Sequence, residues 1–197
     1  MSSPRTATLS RKTGETDIRL SLNIDGKGEA TLKTGLGFFD HMLGSLAKHA
    51  RFDLEVICKG DLQVDEHHSL EDIGIVLGLA LAEAVGDKAG ISRFGHALVP
   101  LDEALSRVVV DFSGRAFLDF RAKFHRSKVG EMSTEIVEEF WRAVAYNAGI
   151  TMHMEVLYGK NTHHQVESLF KAAARALHDA TRFAPGAEGV PSTKGVL

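Results

Sequence analysis

Thiols are almost missing from this chain of 197 residues: Cys58 is its one cysteine. No internal disulfide is therefore possible, and a cysteine-based metal site is excluded. No run approaches the roughly 20 apolar residues of a membrane span. The start, Met1-Ser-Ser-Pro-Arg-Thr6, lacks the apolar stretch of a secretory signal. A basic excess is missing as well. The formal net charge is −3, which argues against a general nucleic-acid or polyanion binder. These absences predict a soluble protein of a reducing compartment, the cytoplasm, with neither nucleic acid nor membrane as partner. With 44% hydrophobic and 25% charged residues, the length suits one domain of ordinary size or two small fused ones. What the chain has in excess is histidine: ten, against one tryptophan and two tyrosines.

Four of the histidines form two pairs of one pattern. His67-His68-Ser-Leu-Glu71 and His163-His164-Gln-Val-Glu167 both read His-His-x-x-Glu. Each opens a run rich in alanine and leucine, and both runs read as helices. The pairs stand 96 residues apart, about half the chain, which points to an internal repeat. A second match supports it. Gly37-Phe-Phe-Asp-His-Met-Leu-Gly-Ser-Leu-Ala47 aligns with Glu135-Ile-Val-Glu-Glu-Phe-Trp-Arg-Ala-Val-Ala145 at an offset of 98. One apolar helix face is thus written twice. At the same offset Phe52–Val56 meets Ile150–Met154, two alternating strands. Opening strands are expected at Asp17–Ile24 and Gly28–Lys33 around the turn Asp25-Gly26. Their counterparts are Ala104–Phe112 and Arg115–Arg121 around Ser113-Gly114. The expected fold is α+β, with duplicated strands-helix-strand-helix halves and two sheets with helices packed between them. As one domain, it divides into a first half at about residues 8–88, a second at about 91–184 and a tail at 185–197.

On a helix, residues i and i+4 lie about 40° apart and neighbours about 100° apart. His67 can therefore share a face with Glu71 while His68 points elsewhere, so adjacent histidines serve two ions more readily than one. Two motifs supply four histidines and two glutamates. His41, on the polar flank of the first helix, adds a fifth histidine, and its counterpart in the repeat is Glu139. His153, in the strand Met152-His-Met154, rivals Glu139 as the remaining ligand. Imidazole and carboxylate without thiolate suit Mn, Fe, Zn or Ni. Six-coordinate ions would keep positions open for water or substrate. Such a donor set also suits a hydrolase that activates water, or a storage assembly. The storage reading resembles di-iron bundles, which place Glu before His on four long helices.

Phe39-Asp-His-Met-Leu43, Asp65-Glu-His-His-Ser-Leu-Glu-Asp72, Pro100-Leu-Asp-Glu-Ala-Leu105, Asn161-Thr-His-His-Gln-Val-Glu167 and Pro191-Ser-Thr-Lys-Gly195 together resemble the imidazoleglycerol-phosphate dehydratase family. The resemblance runs from about Thr8 to Val196. It implies loss of water from imidazole glycerol phosphate to give imidazole acetol phosphate, a step of histidine biosynthesis. It also implies a duplicated α+β fold, two Mn ions per active site, and a closed homo-oligomer, a 24-mer, with its sites between subunits. The matching metal ligands are His41, His67, His68, Glu71, Glu139, His163, His164 and Glu167. Many relatives carry histidine where this chain has Glu139; a carboxylate still binds Mn. Catalysis would run on Glu15, His41, His67, Glu71, His163 and Glu167, with Glu15 removing a proton from carbon. Two Lewis acids at the two ring nitrogens would stabilise an imidazolate that helps expel the hydroxyl.

By the same resemblance, Glu15, Arg93, Arg115, Lys171, Ser192 and Lys194 bind the phosphorylated substrate. Arginine's planar fork suits phosphate. Lys171 lies one turn beyond Glu167, so metal and phosphate sites could share a helix face. The Gly-Pro-rich tail reads by composition as disordered; the resemblance implies instead a segment closing over phosphate. On the first helix, where the family often has glutamine near the substrate, this chain has Ser45.

Overall fold

The computed structural model describes residues 5–187, 189–195 and 197. Glu188 and Val196, both in the expected tail, lie outside the described residues. The first half holds β1 (Thr6–Lys12), β2 (Thr16–Asn23), β3 (Ala30–Lys33), α1 (Gly37–Ala50), β4 (Asp53–Gly60) and α2 (His67–Val85). The second holds β5 (Phe94–Leu101), β6 (Ala104–Asp111), β7 (Phe117–Arg121), a short β8–β9 hairpin (Lys128–Val129, Met132–Ser133), α3 (Ile136–Ala148), β10 (Thr151–Tyr158) and α4 (Thr162–Thr181).

Strict alternation makes the inner strands. In β2, Ile18, Leu20 and Leu22 are buried while Asp17 and Arg19 face out, the pattern of a sheet covered on one side. The two sheets have the same order, β1-β2-β4-β3 and β5-β6-β10-β7. In both, the first three strands run antiparallel and the last lies parallel to its neighbour. Matched topology on matched sequence is the internal duplication.

The helices interlock the halves. α2 covers β1 and β2, and α4 covers β5 and β6. The first helix of each half, however, packs on the second helix of the other: α1 on α4, and α3 on α2. Aromatic rings fill the middle. Phe140 of α3 meets Phe39 of α1 edge-on, with centroids 5.1 Å apart, and stacks on Phe170 of α4 at 5.7 Å. Trp141 closes on Phe170 at 5.0 Å. Such pairs add to what their buried area already contributes.

The strand expected after Asp25-Gly26 forms, but it does not pair with β2; β3 crosses to the far edge and pairs with β4 in parallel. Asp53, which opens β4, causes this: its Oδ1 accepts the backbone N–H groups of Lys27, Gly28 and Glu29 at 2.8, 3.1 and 3.0 Å. The linking loop is thereby tied to the start of β4 rather than to β2. β7 does the same beside β10. The edge strands β1 and β5 were absent from the expected set. Both alternate in burial, but β1 buries only Ala7 fully and β5 only Gly95, with Pro100 near its end, so the sequence contrast between their two faces is weak.

The α2–α3 contact is close enough to need glycine. A Cβ on Gly78 would lie 2.6 Å from the Val144 carbonyl oxygen and 2.8 Å from the Asn147 Cβ. Replacing an exposed helical glycine by alanine normally stabilises by about 1 kcal/mol. Here overpacking reverses the sign, and Gly78→Ala should cost about 1–3 kcal/mol in urea unfolding. An unchanged or raised midpoint would contradict this contact.

Candidate active site

The α1–α4 contact brings two halves of sequence to one carboxylate. His41 comes from the exposed flank of α1. His163 and Glu167 lie one turn apart on α4, whose start is fixed by Asn161: its side-chain oxygen accepts the His163 N–H at 2.9 Å. His41 Nε2 lies 3.3 Å and His163 Nε2 3.0 Å from Glu167 Oε2. One ligand atom from each residue falls within 4.8 Å of the others. Burial pushes the Glu167 carboxyl up, but Lys171 Nζ at 2.7 Å from Oε1 and the two imidazoles outweigh it and hold the group at about 2. Lys171 therefore stands at this end of the helix as an ion-pair partner of Glu167. Phe38 packs edge-on against His163 with centroids 5.0 Å apart.

The counterpart on α2 is more open. His67 Nε2 lies 3.6 Å from Glu71 Oε2. Asp65, just before the N-cap residue Glu66, accepts the His67 N–H at 2.8 Å. Glu139 sits on α3, the helix that packs on α2, as His41 sits on α1 packed on α4. Its carboxylate meets Arg142 Nε of its own helix at 3.3 Å. His153 stands on the outer face of β10, between the buried Met152 and Met154, and pairs with Asp119 of β7 at 3.3 Å. The second histidine of each pair turns away from the first: the rings of His67 and His68 meet at 83°, and so do those of His163 and His164. Each motif thus presents donors in two directions.

Both outward histidines rest on carboxylates. His68 Nδ1 meets Asp61 Oδ2 at 3.0 Å, and this hydrogen bond raises the affinity of the imidazole for its proton. Its Nε2 lies 3.6 Å from Glu15 Oε1. His164 Nδ1 meets Glu103 Oε2 at 2.8 Å. That bond, with the backbone N–H groups of Asn161 and Lys160, holds the Glu103 carboxyl at about 2. Glu15 belongs to the three-residue turn between β1 and β2, where the Thr13 hydroxyl accepts the N–H groups of Glu15 and Thr16. The buried Asp72 fastens that turn to α2: it accepts Thr16 Oγ1–H at 2.6 Å and Arg11 Nε–H at 2.9 Å.

Four of the expected substrate residues gather elsewhere. Arg93, Arg115, Ser192 and Lys194 line one cavity of about 830 Å³, with Lys88 and Ser113. Arg93 holds a left-handed backbone, φ 68°. Its guanidinium spans both oxygens of Asp111, at 2.7 and 3.2 Å, and donates to the Pro191 carbonyl at 2.8 Å. The Gly90 N–H bonds to the Gly189 carbonyl at 2.8 Å. The tail is thereby laid along the cavity that its composition alone would leave it free of. Sequence reasoning did not single out Lys88, Asp61 or Glu103. Glu103 had a signal: like Glu15, it directly precedes its half's second strand. Ser45, buried on α1, has no hydrogen-bond partner for its Oγ among the described residues.

Fold and site together describe a duplicated α+β protein with a histidine–carboxylate centre and a separate basic cavity. A crystal structure of imidazoleglycerol-phosphate dehydratase from Staphylococcus aureus superposes with a TM-score of 0.83 at 41% identity, covering 91% of this chain and 99% of that one. The Pyrococcus furiosus enzyme gives 0.83 at 35% identity over 96% of this chain and 100% of its own. In sequence, the imidazoleglycerol-phosphate dehydratase of Acetivibrio thermocellus is 59% identical, covering 96% of this chain and 97% of that protein. That of Gluconacetobacter diazotrophicus is 57% identical over the whole of both. The family model for imidazoleglycerol-phosphate dehydratase matches residues 34–177. The chain belongs to this family and is a hydro-lyase.

Asp72→Ala should cost about 2–4 kcal/mol in urea unfolding, because it strips the buried Thr16 hydroxyl of its acceptor and frees Arg11. A loss below about 0.5 kcal/mol would show that the turn bearing Glu15 is held by other contacts.

Proposed function

We propose that the chain dehydrates D-erythro-imidazole glycerol phosphate to imidazole acetol phosphate in L-histidine biosynthesis, with two Mn ions at each active site. The observation that carries this reading is the meeting of His41, His163 and Glu167 across the two halves. The nitrogen and oxygen donors fit the ion. Two imidazole nitrogens and a carboxylate held ionised by Lys171 form an all-N/O set suited to Mn. His41, His163 and Glu167 would serve one ion face, and His67 and Glu71, with Glu139 on the packed helix, the other. His68 and His164 would supply the outward donors. Bound there, Mn would supply Lewis acidity toward the imidazole of the substrate.

The residues of the chain do the rest. Glu15, half-exposed beside His68, takes the proton from carbon. Arg115, Ser192 and Lys194, with Arg93 behind them, hold the phosphate in the basic cavity, and the docked tail closes that end. Lys171 keeps Glu167 charged and able to act as a ligand.

The outward turn of His68 and His164 supports a site completed by a neighbouring chain. A closed homo-oligomer, the 24-mer of the family resemblance, would bring the faces together. No helix among the described residues is long and apolar enough to cross a membrane, and the net charge of −3 gives no footing for nucleic acid. A cytoplasmic setting fits the single cysteine.

Purified protein with Mn should convert imidazole glycerol phosphate to its acetol phosphate, followed by the absorbance of the ketone product. No conversion across a range of metals and pH would sink the proposal. Glu15→Gln should leave Mn content unchanged and lower turnover by at least about 100-fold; a fully active variant would remove Glu15 from the reaction. Chelation should shrink the particle seen by light scattering, and Mn should restore it. A particle of constant size would separate assembly from metal binding.

A further inference from the structure

The register of the two sheets sets Glu15 and Glu103 at equivalent places. β2 and β6 correspond at an offset of 88: Leu22 faces Leu54 across one sheet as Val110 faces Met152 across the other. Glu15 and Glu103 both directly precede these strands. Their surroundings have diverged. Glu15 stands on a three-residue turn with its Oε1 3.6 Å from His68 Nε2. Glu103 stands on a two-residue turn, Asp102-Glu103, between β5 and β6, and both its oxygens are engaged. Oε1 accepts the N–H groups of Lys160 and Asn161 at 3.0 and 2.7 Å, and Oε2 meets His164 Nδ1 at 2.8 Å.

The reason lies in the turn after each half's last strand. Asp61 follows β4 and takes the Nδ1 atom of His68. The matching position after β10 is Gly159, where a Cβ would lie 2.8 Å from the Gln165 Cγ and 2.9 Å from the Ala104 Cβ. No carboxylate fits there. Glu103 fills the role that Asp61 plays in the first half.

We infer that Glu103 is the positioning residue of His164: it fixes the imidazole as the Nδ1–H tautomer and so presents a bare Nε2 as ligand, while its equivalent, Glu15, is left free for proton transfer. The ligand role of His164 rests on the function proposed above; the tautomer does not. A carboxylate only accepts hydrogen bonds, so Nδ1 must donate to it. Metal-binding histidines commonly donate their other ring nitrogen in this way, and loss of that partner weakens metal binding about 10–100-fold.

Glu103→Gln separates this role from simple fastening of the turn. The amide oxygen can keep the two backbone N–H bonds of Lys160 and Asn161. The NH₂ group then faces His164 Nδ1 and donates to it, which moves the ring proton to Nε2. A carboxamide in place of a carboxylate beside an imidazole imposes the wrong tautomer without moving the backbone. Nitrogen chemical shifts of ¹⁵N-histidine-labelled protein, read by solid-state NMR without metal, should show one ring changing from Nδ1–H to Nε2–H. His164→Gln identifies that ring. In Mn titrations followed by electron paramagnetic resonance, Glu103→Gln should lose about 10–100-fold affinity at one of two sites, with its thermal midpoint unchanged. Glu103→Ala, which leaves Nδ1 to water, should fall between Glu103→Gln and the unmodified protein in Mn affinity. An unaltered His164 tautomer in Glu103→Gln would overturn the inference. So would Mn binding equal to that of the unmodified protein. If the unmodified protein itself bound no Mn while the tautomer still switched, the metal reading would fall and the positioning of His164 by Glu103 would stand.

Discussion

The packing of α1 on α4, repeated as α3 on α2, is the contact on which the rest of the molecule depends. It buries the apolar stripes of four helices and joins the aromatic rings of Phe39, Phe140, Trp141 and Phe170 into one core. It also carries His41 from the first half to His163 and Glu167 of the second. Without that crossing, neither half would hold more than a histidine pair and a glutamate. The polar centre lies at the rim of the hydrophobic contact, so its geometry is set by the packing beneath it.

Electrostatics then sorts the carboxylates. Glu167 is part-buried, and burial alone would favour its neutral form; Lys171 and two imidazoles keep it charged. Glu103 is open to water, yet backbone donors and His164 hold it as an anion. Asp72 is buried but satisfied by Thr16 and Arg11. Glu15 alone of these has no strong partner, its nearest being His68 at 3.6 Å. The carboxylate proposed to take a proton from carbon is the one left uncommitted.

Much of this was legible in the chain before its fold was known. The His-His-x-x-Glu motifs announce their helices, because each opens a long run rich in alanine and leucine with helical period. The repeat was readable from the stripe Phe39-Met42-Leu43-Leu46 and its copy, and it placed Glu139 opposite His41. The edge strands were not readable, since the inner faces of β1 and β5 are mostly half-buried and carry little apolar contrast. Nor was the crossing of β3, which depends on Asp53 gathering three backbone donors from a loop distant in sequence. Asp61 was invisible for the same reason, since its role arises from a turn that brings it beside His68. Glu103 shares with Glu15 the place just before its half's second strand, but its contact with His164 appears only in the fold. The basic cavity was half legible: four of its residues came from resemblance, whereas Lys88 entered only through the fold.

The exchange of helices between halves bears on how such a chain could have arisen. A half-length precursor would have kept a four-stranded sheet and two helices, but its first helix would have met only strands of its own sheet and lacked the helix it now packs on. A second copy would cover it, each lending a helix to the other. The present interior has the form of an interface between two such molecules, joined by the linker near Gly86–Gly90. Glu15 and Glu103, Asp61 and Gly159, and His41 and Glu139 are equivalent positions with different occupants in the two halves.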